Sequence, residues 1–424
     1  MVDHNQVVAP DPQAVRQYML VTGNYWGFTL TDGALRMLVV LHFHQLGYSP
    51  LSIAMLFLFY EIFGVVTNLV GGWLGARIGL NRTMNIGLAM QVVALLMLTV
   101  PASLLSVPYV MAAQALSGIA KDLNKMSAKS SIKLLAGSGH QGSLYKWVAL
   151  LTGSKNALKG AGFFLGGALL AWLGFRDALL AMAAALALVL VGSLLTLKKD
   201  LGKAKQKTRF SDIFSKSRAV NILSAARMFL FGARDVWFVV ALPVFLSTQL
   251  NWTHTQVGGF LALWVIGYGA VQAFAPKVTG RTRDQVPDGR SAFGWAAVLA
   301  AIPLMIAMGI ADPWSGLVKT LSLEGVIIGG LLLFGALFAI NSSLHSFLIV
   351  SYAKEDGVSL DVGFYYMANA MGRLVGTVLS GWLFQEYGLA VCLLVSSLFL
   401  GVAAVISLWL PRHNGKPMPV TPKR

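Results

Sequence analysis

The sequence predicts an all-α integral membrane protein, with twelve transmembrane helices in two six-helix pseudo-symmetric bundles. Three observations predict it. Of the 424 residues, 56% are hydrophobic and only 12% are charged, against about 25% charged in an ordinary soluble domain. Hydrophobic windows of about 20 residues, enough for a helix to cross a ~30 Å hydrocarbon core, recur along the whole chain. The apolar pattern breaks once, at the basic stretch KKDLGKAKQKTRFSDIFSKSR over 198–218, with six windows on each side. The domain organisation expected is therefore a bundle over 1–197, a linker over 198–218 and a second bundle over 219–424.

Backbone amides in lipid must be satisfied within their own segment, so windows this long and rich in Leu, Ala, Val and Gly are helices rather than barrel strands. In order, the first window (20–46) carries Asp32 and Arg36, and the second (51–75) carries Glu61. The third (83–105) has no embedded charge, the fourth (107–130) holds Lys121, Asp122, Lys125 and Lys129, and the fifth (146–172) holds Lys155 and Lys159. The sixth (177–197) closes the first bundle. The seventh (219–247) brings Arg227, Arg234 and Asp235, and the eighth (254–275) and ninth (291–310) bring none. The tenth (325–351) contains His345, the eleventh (362–386) Asn369 and Arg373, and the twelfth (389–410) Cys392.

A net charge of +16 would suit a nucleic-acid partner, but the position of the charge gives another explanation. With the first residue cytoplasmic, most Lys and Arg fall in predicted inner loops and tails, while Arg176 and Lys319 alone fall in outer loops. The positive-inside rule then places both termini in the cytoplasm. No nucleic-acid partner is expected; the lipid bilayer is. The single cysteine, Cys392, permits no intrachain disulfide and reads as a packed small hydrophobe. The first 17 residues are polar, with Pro10 and Pro12, and lack a signal-peptide pattern, so the first transmembrane helix is expected to do the targeting.

Nine cations and four acids remain within the windows, an embedded balance of +5. Each Lys or Arg at a helix centre costs ~2.5–3.5 kcal/mol to insert, so these groups must face protein or water rather than lipid. Counting from the window starts, Arg36 lies about 24 Å in, Lys155 and Lys159 about 14 and 20 Å, Arg234 about 22 Å and Arg373 about 16 Å, all midmembrane depths. All thirteen groups fall on windows 1, 2, 4, 5, 7 and 11. The expectation is a hydrated central cavity that holds an anionic small molecule.

The candidate substrate-binding residues are Arg36, Lys121, Lys155, Lys159, Arg227, Arg234, Asn369 and Arg373. Asn369 stands one turn before Arg373, whose guanidinium offers a fork to phosphate or carboxylate. Candidates for proton coupling or gating are Asp32, Glu61, Asp122 and Asp235, since an embedded carboxylate can exchange its cationic partner for a proton. Asp32 and Arg36, four apart, read either as a simple intrahelical ion pair or as a pair that substrate or a proton competes for. Lys121, Lys125, Lys129 and Lys133 form a basic stripe at four-residue spacing, of which Lys129 and Lys133 are expected to snorkel to inner headgroups. Arg227 is open to a similar reading. His345 reads as a packed, hydrogen-bonded histidine or as a substrate or proton group. His42 and His44 are two apart and point to different helix faces, so no metal site is expected, and no cofactor.

Two further patterns concern packing. Gly72-Trp73-Leu74-Gly75-Ala76-Arg77-Ile78-Gly79-Leu80-Asn81-Arg82 resembles the loop signature of the major facilitators, with Gly72, Arg77, Gly79 and Arg82 matching and Ala76 where an acid is usual. That departure puts a carboxylate-mediated gating contact in doubt. Gly162-Phe163-Phe164-Leu165-Gly166-Gly167 resembles the GPxxGG element of antiporter members with Phe163 in place of proline, or reads simply as close helix packing. The major facilitator fold, two six-helix halves with substrate between them near the midplane, is what this resemblance implies.

The runs TGNYWGFTLTDGALRMLVVLHFHQLGYSP (22–50), QALSGIAKDLNKMSAKSSIKLL (114–135), KWVALLTGSKNALKGAGFFLGG (146–167) and SAARMFLFGARDVWFVVALPVFL (224–246) resemble the organoarsenical efflux permeases of arsenic-resistance operons, the ArsJ type. The resemblance covers about 16–410. It implies a bacterial inner-membrane exporter of 1-arseno-3-phosphoglycerate, working beside a glyceraldehyde-3-phosphate dehydrogenase that makes this compound from arsenate. The residues themselves leave another organic-anion or phosphate-ester transporter, such as an anion exchanger, open. Proton antiport, uniport and exchange stay open as well. An enzyme is not expected, because no Ser/His/Asp grouping, metal-spaced histidines or phosphate-cradling glycine loop is found.

Overall fold

The structure, a computed structural model, describes residues 12–48, 56, 58–136, 141–197, 201–204, 217–252, 254–279, 287–311 and 322–412. Side chains of some helical residues, Glu61 and His44 among them, lie outside the described residues, as does most of the 198–218 linker. Among the described residues the regular structure is helical: α1 (Pro12–Gln45), α2 (Leu58–Ile78), α3 (Leu80–Met97), α4 (Val107–Ala136), α5 (Gln141–Thr196), α6 (Arg218–Phe238), α7 (Ala241–Thr248), α8 (His254–Thr279), α9 (Gly289–Ala311), α10 (Leu323–Tyr352) and α11 (Val358–Ser407). A single 3₁₀ turn, Ala102–Leu104, precedes α4.

Eleven helices make twelve membrane passes. α5 and α11 each turn back at one glycine, Gly174 (φ 76°) and Gly388 (φ 79°), in a left-handed conformation that side chains resist. α6 and α7 together make a single pass, broken at Val239 and Val240. The freed amides at that break are taken up by the buried Ser380 hydroxyl of α11, which accepts from Ala241 N at 3.1 Å and Val240 N at 3.4 Å. Among the described residues six stretches, including Leu144–Thr196 and Val358–Ser407, are long and apolar enough to cross a membrane on length and composition alone. α1 and α4 have the length but carry the embedded charges.

An even number of passes returns both termini to one face, called here the terminal side. Gln17 near the start of α1 donates to the carbonyl of Thr196 at the end of α5, and Pro411 accepts from Gly289 N at the start of α9. The expected loop signature is mostly helix: α2 runs to Ile78, Gly79 alone forms the turn, and α3 starts at Leu80. The start of the linker packs on that turn, Leu201 accepting from Leu80 N and Ala204 donating to the carbonyl of Ala76, each at 2.8 Å.

The contacts that join the halves lie mainly on the terminal side. α2 crosses α11 where a Cβ on Gly363 would come 2.8 Å from the Gly72 Cα, so the backbones touch through small residues. Ala76 is buried and the contact contains no carboxylate from α2's signature. α5 meets α8 through Tyr145 and Thr279 (2.6 Å) and through Asn156 and Gln272 (2.6 Å). Within the first half, Gly162 lies against Gly33 of α1, so the GFFLGG stretch serves close helix packing here. The second half has its own aromatic core, with Trp237 packed edge-on to Phe334 (5.0 Å) and Trp264 (6.3 Å).

Candidate functional site

Three carboxylates organise the embedded charge, and each is already engaged. Asp32 on α1 accepts from the Tyr60 hydroxyl of α2 at 2.8 Å. The Tyr60 ring in turn carries two cations, Arg36 with Cζ 4.0 Å from its centroid and Lys121 with Nζ at 3.7 Å. An aromatic face attracts cations through its quadrupole, so this one tyrosine gathers groups from α1, α2 and α4. Asp122 is buried against Lys125 (2.6 Å) and, more loosely, Lys121 (4.0 Å). The backbone of Glu61 lies on α2 beside Tyr60; its side chain lies outside the described residues.

In the second half Asp235 is fully buried between two guanidinium groups, Arg234 at 2.5 Å and Arg373 at 3.0 Å. Arg234 also lies near the rings of Phe231 (5.1 Å) and Phe338 (5.6 Å). Arg227 stands apart from this triad. It is 3% exposed and has no carboxylate partner among the described residues; its Nε donates to Asn369 Oδ1 (2.9 Å), another nitrogen donates to the Ser342 carbonyl (3.3 Å), and its guanidinium covers Phe231 at 3.8 Å. Asn369 thus orients Arg227 rather than Arg373.

Lys155 and Lys159 on α5 have neither an ion pair nor a hydrogen bond among the described residues. Their charged neighbours show where they point. Lys155 feels Lys121 and Lys125 of its own half, Arg373 of the other and Asp32, while Lys159 feels Arg36, Asp32, Lys155 and Lys121. The two halves therefore bring their cations to one region between them. Water reaches it, since the side chains of Arg373, Lys121, Arg234 and Lys125 are 34%, 17%, 16% and 14% exposed. Among the described residues Asp32, Asp122 and Asp235 each hold a tyrosine, lysine or arginine partner, and the cations outnumber them, so positive charge is left over for an anion. A cleft lined by Asn81, Arg82, Asn85, Leu194 and Leu197 contains none of these groups.

Several expectations change. Lys129 and Lys133 do not snorkel to headgroups; they point into the contact between halves, Lys129 to Ser346 Oγ (3.3 Å) and Lys133 to the carbonyls of Val350 (2.8 Å) and Ser351 (2.9 Å). Helical spacing fixes the face they share, but only packing shows that α10 covers it. His345 is packed, and its two buried ring nitrogens find no hydrogen-bond partner among the described residues. His42 stacks on Phe175 at 3.8 Å. Tyr60 and Tyr366, whose ring lies 4.6 Å from Lys125 Nζ, escaped sequence reasoning because they are neutral; for Tyr60 the usable signal was its place next to Glu61.

The comparisons with known proteins agree with this architecture. The family description Major Facilitator Superfamily matches residues 20–236 and 221–424. No protein of curated function matches the chain. Among solved structures, the E. coli fucose:proton symporter FucP is 12% identical, covering 94% of this chain and 99% of its own, with a TM-score of 0.71. The human organic anion transporter MFSD10 is 16% identical (94% and 100% covered, TM-score 0.72), and a bacterial homologue of the iron transporter ferroportin in an outward-facing state is 15% identical (92% and 98%, TM-score 0.67). At these identities the likeness concerns the fold. Two family matches that together span residues 20–424, and a helix order with charges gathered between two six-pass halves, make this chain a member of the major facilitator superfamily, a multi-pass membrane transporter.

Proposed function

We propose that this transporter exports a compact, doubly anionic organoarsenical, 1-arseno-3-phosphoglycerate, from the cytoplasm across a bacterial inner membrane by alternating access, and so confers arsenate resistance. The observation that carries the anionic part of the reading is that Lys155 and Lys159 have no ion pair or hydrogen bond among the described residues, Lys155 lying near Arg373 of the other half and Lys159 near Arg36. A molecule with an arsenate group at one end and a phosphate at the other suits cations offered from both sides, Arg36, Lys121, Lys155 and Lys159 from the first half and Arg234 and Arg373 from the second. The specific cargo and the outward direction both rest on the resemblance of four charge-bearing runs to the ArsJ type, while the positive-inside distribution of Lys and Arg supports cytoplasmic termini. The functional partner on this reading is a glyceraldehyde-3-phosphate dehydrogenase that supplies the cargo.

Everted vesicles given arsenate, glyceraldehyde 3-phosphate, NAD and the dehydrogenase test it. Arsenic should accumulate only when every component is present. Replacing Arg234 or Arg373 with Gln should abolish accumulation while the protein stays in the membrane. Accumulation without the dehydrogenase, or exchange driven by phosphate alone, would replace this reading with that of a general anion exchanger.

A further inference from the structure

Two buried cations, Lys129 and Arg227, and a half-buried one, Lys133, lie outside the triad and the tyrosine cluster at the closed contact between halves. Lys129 is 4% exposed, 5.1 Å from the Tyr366 ring, and donates to Ser346 Oγ. Lys133 caps the last carbonyls of α10, and its nearest acids, Glu355 and Asp361, act on it only through space. Arg227 lies in the second half, where it donates to Asn369 and the Ser342 carbonyl of that same half, and it is the leading charged neighbour of Lys129 across the contact. Ser342 and Ser346 are one turn apart on α10, so Lys129 and Arg227 approach the same stretch of helix from opposite halves. Between them in sequence, His345 is fully buried with both nitrogens unpartnered.

Every acceptor in this layer is neutral. Burying a cation on neutral acceptors alone is costly, as for Lys129 and Arg227, and a bond from a cation to a hydroxyl or carbonyl is weaker than one to an anionic oxygen. Alternating access moves one half against the other, so the layer that is closed here becomes a vestibule wall when the terminal side opens. The stripe Lys133, Lys129, Lys125 and Lys121 then climbs one turn at a time, from about 5 Å to about 22 Å from the terminal end of α4.

We infer that Lys129, Lys133 and Arg227 form a second anion site, a loading site in which anionic cargo entering from the terminal side displaces the neutral acceptors of α10 and α11 before passing to the central cations. The inference rests on the reading that the cargo is an anion. It also supplies a gate for a chain whose α2 signature has Ala76 in place of the acid: cations on neutral acceptors hold the contact, and an anion releases it.

The test uses thiol chemistry, because the only cysteine, Cys392, is buried. In a Cys392→Ser background, Ser346→Cys places a thiol beside Lys129. An anionic and a cationic methanethiosulfonate of similar size are applied to vesicles of each orientation. The expected result is labelling from the terminal side alone, at least ~5-fold faster for the anionic reagent. Lys129→Gln should erase that preference and Lys129→Arg keep it. As a second measurement, Lys129→Gln should raise the half-saturation of a phosphate ester ~10-fold from the terminal side and under 2-fold from the other. Equal labelling by both reagents, a preference that survives Lys129→Gln, no labelling from the terminal side, or equal effects on both sides would overturn the loading site. The reagents do not depend on cargo identity: a preserved charge preference with no arsenical transport would sink the cargo and leave the site standing.

Discussion

Tyr60 shows how one neutral side chain can set the electrostatics of several charged ones. Its hydroxyl holds Asp32 and its ring holds Arg36 and Lys121, so the two roles separate by substitution. Tyr60→Phe should keep phosphate-ester affinity within about 3-fold, since the ring contacts survive. Tyr60→Leu removes two cation–π contacts of ~0.5–1 kcal/mol each and should weaken binding ~5–30-fold. Calorimetric titration of the purified protein measures both, and an equal loss in the two variants would assign the effect to the hydroxyl alone. Asp235 makes the complementary case. Asp235→Asn leaves two guanidinium groups facing a neutral amide, and should cost about 2–3 kcal/mol, below the ~3–5 of a fully buried pair because Arg373 remains a third exposed. The lowered Tm should partly recover in Asp235→Asn with Arg373→Gln; a Tm unchanged by Asp235→Asn would deny the triad its structural role. The embedded charges were legible in the sequence because each breaks an apolar window at a cost. Tyr60, Tyr366 and Ser346 break nothing, and their roles exist only once neighbouring helices are in place.

Helices carry the same distinction between local and distant causes. The turns at Gly174 and Gly388 fall where the hydropathy windows separate, because the glycine that allows the turn also ends the apolar run. The break between α6 and α7 leaves no such mark. The residues from Val236 to Leu246 stay apolar across the break, and the amides freed at Val240 and Ala241 are satisfied by Ser380, about 140 residues further on. The polar first turns of α1 likewise lie outside the hydrophobic window that begins at 20, yet are held as helix by contacts such as Gln17 with Thr196. The α2–α11 crossing yields a prediction at this scale. Gly363→Leu inserts a side chain where even a Cβ would lie 2.8 Å from the Gly72 Cα. It should hold the terminal side open, so that Ser346→Cys labels several-fold faster from that side while transport falls. Labelling at the unaltered rate would show that this crossing does not close the gate.

Across the whole molecule, two six-pass halves enclose a band of excess positive charge, and one buried apolar cluster runs from the first half into the second through residues such as Leu344, Phe347 and Val362. The count and order of passes followed from length and hydropathy, and the inward placement of charge from the energetic cost of the alternative. What the sequence left unread was which cations pair and which stand free. Asp235 could have served Arg227 one face away, yet it binds Arg234 and Arg373, and Lys155 is left to face the second half. That arrangement makes the convergence of Lys155 and Arg373 on one anion the central claim, and a double-mutant cycle measures it most directly. The affinity of 3-phosphoglycerate for the wild type, Lys155→Gln, Arg373→Gln and the double variant gives a coupling energy, expected at ~0.5–3 kcal/mol for groups sharing one ligand. Strictly additive losses, or no loss in either single variant, would mean that the two halves do not hold the same anion.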